Sequence, residues 1–101
     1  MDEQKAGELQ ALEMNLQNFL MQKQSFQMEL NEIENAISEV KDSDEEVYKV
    51  VSGVMLKSTK EKISKELEEK KKILEKKVNA IEKQEELLEE KLTDLKKEFL
   101  K

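Results

Sequence analysis

Leu9, Leu12, Leu16, Phe19, Lys23, Phe26, Leu30, Ile33, Ile37 and Val40 follow one another at alternating steps of three and four residues, and nine of the ten are apolar. That alternation is the a/d seam of a coiled coil, sustained here for more than four heptads. A second stretch repeats it through Leu67, Lys71, Leu74, Val78, Ile81, Glu85, Leu88, Leu92, Leu95 and Phe99, with Ile63 and Ile73 alongside. Eight of those ten are apolar. A helix carrying such a stripe buries it only against another stripe of the same period. Compact globules also need frequent turns, and this chain of 101 residues has two Gly and no Pro. The expected class is mainly α, built from two long helices lying side by side.

Between the stripes the pattern changes in kind. Lys41-Asp42-Ser43-Asp44 is a polar break made of poor helix formers. It is followed by Val47-Tyr48-Lys49-Val50-Val51, then Ser52-Gly53, then Val54-Met55-Leu56-Lys57. Two β-branched or aromatic runs around a Gly-containing turn predict a β-hairpin. A loose helix-to-helix loop is the competing reading, but it has no need of so many Val. Ser58 with Glu61 three residues later has the capping-box signature of a helix start. The expectation is thus one domain, with a first helix at 1–42, a linker and hairpin at 43–58 and a second helix at 59–101. Each arm of about 40 residues would span roughly 60 Å, and equal arms on a short connection favour an antiparallel pair.

An isolated two-stranded hairpin is marginal in water and leaves two open edges. This one is apolar and has no core of its own. The physical expectation is that hairpins from several chains pair into a shared sheet or barrel. Val47, Tyr48, Val50, Val51, Gly53, Val54 and Leu56 are the expected assembly residues.

Much chemistry is excluded by what is missing. With no Cys and no His there is no thiol nucleophile, imidazole base, disulfide or zinc site. No Gly-rich loop follows a strand to cradle a phosphate, so no cofactor, metal or catalytic residue is expected and the chain does not read as an enzyme. The net charge of −6 and the absence of Arg argue against nucleic acid as a partner. Residues 1–56 hold four Lys against twelve acids, and residues 57–101 hold fourteen Lys against twelve, interspersed rather than gathered into a basic patch. No run approaches the ~20 apolar residues of a membrane span, and none resembles a signal peptide. A cytoplasmic protein without a membrane partner is expected.

The exceptions in the pattern mark candidate sites. Lys23 sits in the seam, and the register that pairs Val40 with Ile63 brings Glu85 within one turn of it. Such a pair fixes register, or else Lys23 carries its charge out to water. Met14, Met21 and Met28 recur every seven residues on the face opposite the seam, where flexible thioethers suit binding of varied shapes or packing on a neighbouring subunit. At the arm ends, where helices fray, Leu9, Leu12, Leu95, Phe99 and Leu100, with Met14 nearby, either close the seam or stay partly exposed as contacts for a bound polypeptide.

The layout of two equal helical arms around one hairpin resembles a prefoldin subunit of the beta type. Local sequence supports the resemblance. Gln22-Lys23-Gln24 is similar to the family's Q-K-Q, and Val47-Tyr48-Lys49 with Gly53 and the strand from Val54 to Lys57 resembles its V-Y-K…G hairpin. Lys83-Gln84-Glu85-Glu86 resembles the basic-Q-E-E stretch of its second arm. The resemblance implies a hetero-hexamer of two alpha-type and four beta-type subunits, with arms hanging from a β-barrel platform. It implies a chaperone that needs no ATP, holds unfolded proteins between the arm tips and passes them to a group II chaperonin. The alternative is a coiled-coil scaffold or spacer within a larger complex. A spacer gains nothing from an apolar β edge.

Overall fold

Ala, Leu, Glu, Lys, Gln and Met fill the arms, and these are the residues that lose least rotamer freedom in a helix. In the computed structural model they form α1, Glu3–Asp42, and α2, Lys60–Phe99, each of 40 residues. The structure describes residues 3–100, so the outermost ends of the expected arms, Met1, Asp2 and Lys101, lie outside the described residues. Between the helices, β1 at Val47–Val51 and β2 at Val54–Ser58 pair antiparallel. This is the mainly α layout with one central hairpin that the heptads and the Val-rich middle predict.

Two details differ from the sequence reading. The strand β2 runs one residue further than expected, through Ser58. Ser58 therefore does not cap α2. Thr59 does: its Oγ1 accepts the Lys62 N–H at 3.2 Å, one of the four donors that a helix start leaves unpaired. The cap is the residue directly before the first helical one, and with α2 beginning at Lys60 that place falls to Thr59.

The turn is tight. Val51 pairs with Val54, leaving Ser52 and Gly53 as the only loop residues, with φ of +50° and +79°. Positive φ at both central positions is the type I′ pattern, whose twist matches that of the strands. Gly53 takes this conformation freely, whereas Ser52 is held in it at some cost.

The chain forms two compact units, Met1–Phe26 with Lys77–Lys101, and Gln27–Lys76. In the first, an ion pair from Lys5 to Glu98 and another from Lys23 to Glu85, both 2.9 Å, show the two helices running antiparallel. Val78 and Ile81 are its buried residues, at 7% exposure each. In the second, Ile37 and Leu74 are buried, and the Lys60 ammonium reaches the Lys41 carbonyl at 3.5 Å across the helix ends that flank the hairpin. All twenty seam positions are half-buried or buried, while Ile73, placed alongside the seam by sequence, is exposed.

Candidate functional site

The hairpin lies in the second unit and shows apolar groups on both faces. Alternation along the strands puts Tyr48, Val50, Met55 and Lys57 on one face, and Val47, Lys49, Val51, Val54, Leu56 and Ser58 on the other. Val50 and Met55 oppose each other and are 66% and 67% exposed. Tyr48, Val51, Val54 and Leu56 are exposed as well, and Val47 is half-buried.

Charged groups steady this apolar ribbon. Glu46 Oε2 accepts the Tyr48 hydroxyl at 2.7 Å, and its Oε1 meets the Lys57 ammonium at 2.9 Å. Tyr48 and Lys57 are themselves cross-strand partners, so one carboxylate clips both strands. Its bonds to Lys57 first, then Tyr48, hold the Glu46 carboxyl below the ordinary range, and the bond to Glu46 pushes the Tyr48 phenol up. On the opposite face Lys49 pairs with Glu66 of α2 at 2.9 Å, which lowers the Glu66 carboxyl and ties the hairpin to the helix beside it. Sequence reading missed Glu46 and Glu66. Glu46 was findable, since an acid two residues before a strand tyrosine lies on the tyrosine's own face.

In the first unit, the Lys23 ammonium and Glu85 Oε1 are 2.9 Å apart, with 23% and 13% of the two side chains exposed. The hydrogen bond from Lys23 to Glu85 raises the Lys23 pKa against the opposing effect of desolvation. Close by, the Lys77 ammonium sits 5.6 Å from the centre of the Phe26 ring, within cation–π range.

At the helix ends of this unit, Leu12 and Leu95 line one shallow groove, together with Ala11 and Asn15 and rimmed by Glu8, Lys91, Asp94 and Glu98. Leu9 and Phe99 are half-buried in the seam, whereas Leu100 is 86% exposed. Met14 is exposed and lies in a separate depression with Gln10, Glu13, Leu16 and Gln17. The six arm-end candidates therefore do not form one patch: Leu12 and Leu95 meet, and Met14 stands apart. Met21 is exposed like Met14, as is Met28 in the other unit. Leu20 and Leu87 are also exposed, which the a/d pattern did not single out.

Among the described residues no cluster of carboxylates could hold a metal ion, and no helix is long and apolar enough to cross a membrane.

Comparison with known proteins agrees. Residues 3–101 match the prefoldin subunit family. The crystal structure of the prefoldin beta subunit from Thermococcus strain KS-1 superposes with a TM-score of 0.90 at 39% identity, over 95% of this chain and 86% of that one. The prefoldin beta2 subunit of the same strain gives a TM-score of 0.78 over 88% of this chain and 97% of that one, and at 21% identity the likeness is one of fold. No curated protein matches the chain in sequence. The chain belongs to the prefoldin family, whose members are chaperone subunits rather than enzymes and assemble with other prefoldin subunits.

Proposed function

We propose that this chain is the beta-type subunit of a cytoplasmic hexamer of two alpha-type and four beta-type subunits. It holds unfolded polypeptide at its arm ends without ATP and passes it to a group II chaperonin. Val47, Tyr48, Val50, Val51, Gly53, Val54 and Leu56 join a barrel platform, and Lys23 with Glu85 keeps the arms in register. Leu9, Leu12, Met14, Leu95, Phe99 and Leu100 meet the client.

The observation that carries the client-binding part is the arm-end groove with Leu12 and Leu95 inside it and the bare Leu100 side chain at the end of α2. Unfolded chains expose apolar groups, and each Å² they bury against such a surface contributes about 25 cal/mol. A single groove of this size binds weakly. Several arms acting on one client raise the effective concentration and hence the hold.

The test is to delete residues 95–101 and change Leu9 and Leu12 to Ser, then assemble the variant with its partner subunits. At equal mass, the trimmed oligomer is expected to lose suppression of aggregation when a denatured protein is diluted to refold, read by light scattering. Its oligomer is expected to persist, because the hairpin is untouched. Full protection by the trimmed oligomer would move the client surface elsewhere, with the exposed Met14 and Met21 face first in line. No protection even by the intact oligomer would favour a scaffold.

A further inference from the structure

Three of the twenty seam positions are charged: Lys23 in α1, and Lys71 and Glu85 in α2. Each has an opposite charge on the facing helix. In one unit Lys23 meets Glu85 at 2.9 Å, and in the other Lys71 approaches Glu34 at 3.9 Å. Mid-seam, a charge displaces a leucine that would bury more apolar surface, so its benefit lies in which pairings it forbids.

The forbidden pairings are readable from the positions. If α1 of one chain lay parallel and in register with α1 of a second copy, Lys23 would face Lys23 across the seam. If two copies of α2 did the same, Lys71 would face Lys71 and Glu85 would face Glu85. Every homotypic parallel pairing thus sets like charges together in a half-buried strip, while the pairing of α1 with α2 neutralises all three. The apolar seam positions make no such distinction, since Leu, Ile, Val and Phe at a and d pack in either arrangement. Prefoldin subunits assemble, so several identical arms come within reach of one another.

We propose that Lys23, Lys71 and Glu85 are specificity residues that make each arm reject a parallel copy of itself, keeping α1 and α2 of a subunit paired when identical subunits gather side by side. Like-charge contact supplies the rejection, and the cross-helix ion pairs offset its cost within the subunit.

The chain has no cysteine, which gives a clean test in the full-length protein. Leu12→Cys places one thiol at a d position, where parallel copies of α1 would bring two together. Three forms are compared under mild oxidation: Leu12→Cys alone, with Lys23, Lys71 and Glu85 all changed to Leu, and with the exchanged pair Lys23→Glu and Glu85→Lys. The neutralised seam is expected to give on the order of tenfold more disulfide-linked dimer than the native seam. The exchanged pair is expected to stay at the native level, because like charges still meet in the parallel homotypic pairing that the thiol reports. Equal dimer yield from the native and neutralised seams overturns the proposal. A high yield from the exchanged pair overturns it as well, since the signs would then be complementary within a subunit and yet fail to discriminate. Helicity by circular dichroism confirms that all three remain folded. The readout is a covalent dimer, so it is independent of whether the arm ends bind clients.

Discussion

The helical seam and the hairpin are built from the same kinds of apolar side chain and treat them in opposite ways. All twenty seam positions are covered at least in part, and Ile37, Leu74, Val78 and Ile81 are buried. In the hairpin, Val50 and Met55 remain about two-thirds exposed although they face each other across the ladder. A helix needs one neighbour to cover its stripe, and the connection returns α2 to provide it. A two-stranded ribbon has two faces and two edges, and the Lys49–Glu66 ion pair ties one of those faces to α2. The seam is therefore satisfied within a chain, whereas most of the hairpin's apolar surface stays open.

The hardest blow to that contrast is Val50→Pro. Counting outward from the two-residue turn, Val51–Val54 and Lys49–Leu56 exchange the ladder bonds, which leaves the Val50 N–H pointing out of the open edge. Proline there removes a donor from the outer edge while sparing the inner ladder, and Leu56→Pro breaks the inner ladder instead. Both are expected to abolish the higher oligomer with helicity largely kept, but only Leu56→Pro is expected to disorder the hairpin as well. Light scattering reads the first effect, and emission of Tyr48, the single tyrosine in a chain without tryptophan, reads the second. A full-sized oligomer from Val50→Pro would mean that the edges are not the joint.

The two regions also differed in how plainly they could be read. The seam was legible residue by residue, because a period of 3.5 fixes which side of a helix is covered whatever the partner is. The Val-rich runs and Ser52-Gly53 likewise specified a hairpin, because few other structures use that punctuation. What escaped depended on geometry between residues distant in sequence, or on the residue at which an element begins. Glu66 meets Lys49 only because the ribbon lies against α2. Thr59 replaces Ser58 as the cap because α2 begins at Lys60. The arm-end candidates follow from their place near the helix ends, and Met14, on the face opposite the seam, lies in a separate depression from the groove of Leu12 and Leu95.

Within the seam, burial sets a second scale. Ile81 is 7% exposed and Leu95 is half-buried at the arm end. Ile81→Ala is expected to cost about 2–3 kcal/mol, the low end for a core isoleucine because a two-helix seam can partly collapse on the gap. Leu95→Ala is expected to cost less, about 1–2 kcal/mol, since part of its surface already meets water. Thermal melts followed at 222 nm would separate them. Equal losses would show that the arm end is packed as tightly as the middle, and that a client would have to force it open.

The smallest effect expected comes from acid, and it separates the regions by sign. Glu46 and Glu66 have carboxyls held below the ordinary 4.5, so the ionised forms favour the folded hairpin. That stabilisation is present in full above pH 4.5 and is lost as pH falls through the lowered folded values. Lys23 is shifted the other way. Its raised pKa contributes stability that is present below the ordinary 10.5 and fades as pH rises through the raised value, so the effect lies in alkali. Tyr48 also weakens its bond to Glu46 in alkali, above its ordinary 10.0, which leaves acid as the cleaner probe of the hairpin. The hairpin's charged side chains are solvated, so its changes are modest and screened by salt. Tyr48 emission should register loss of the Glu46 carboxylate with a midpoint below pH 4.5, and Glu46→Gln should erase that step. A midpoint at or above 4.5 would mean that Lys57 and Tyr48 do not hold Glu46 in solution. The clip across the two strands would then have to be replaced by contacts from the neighbouring chains.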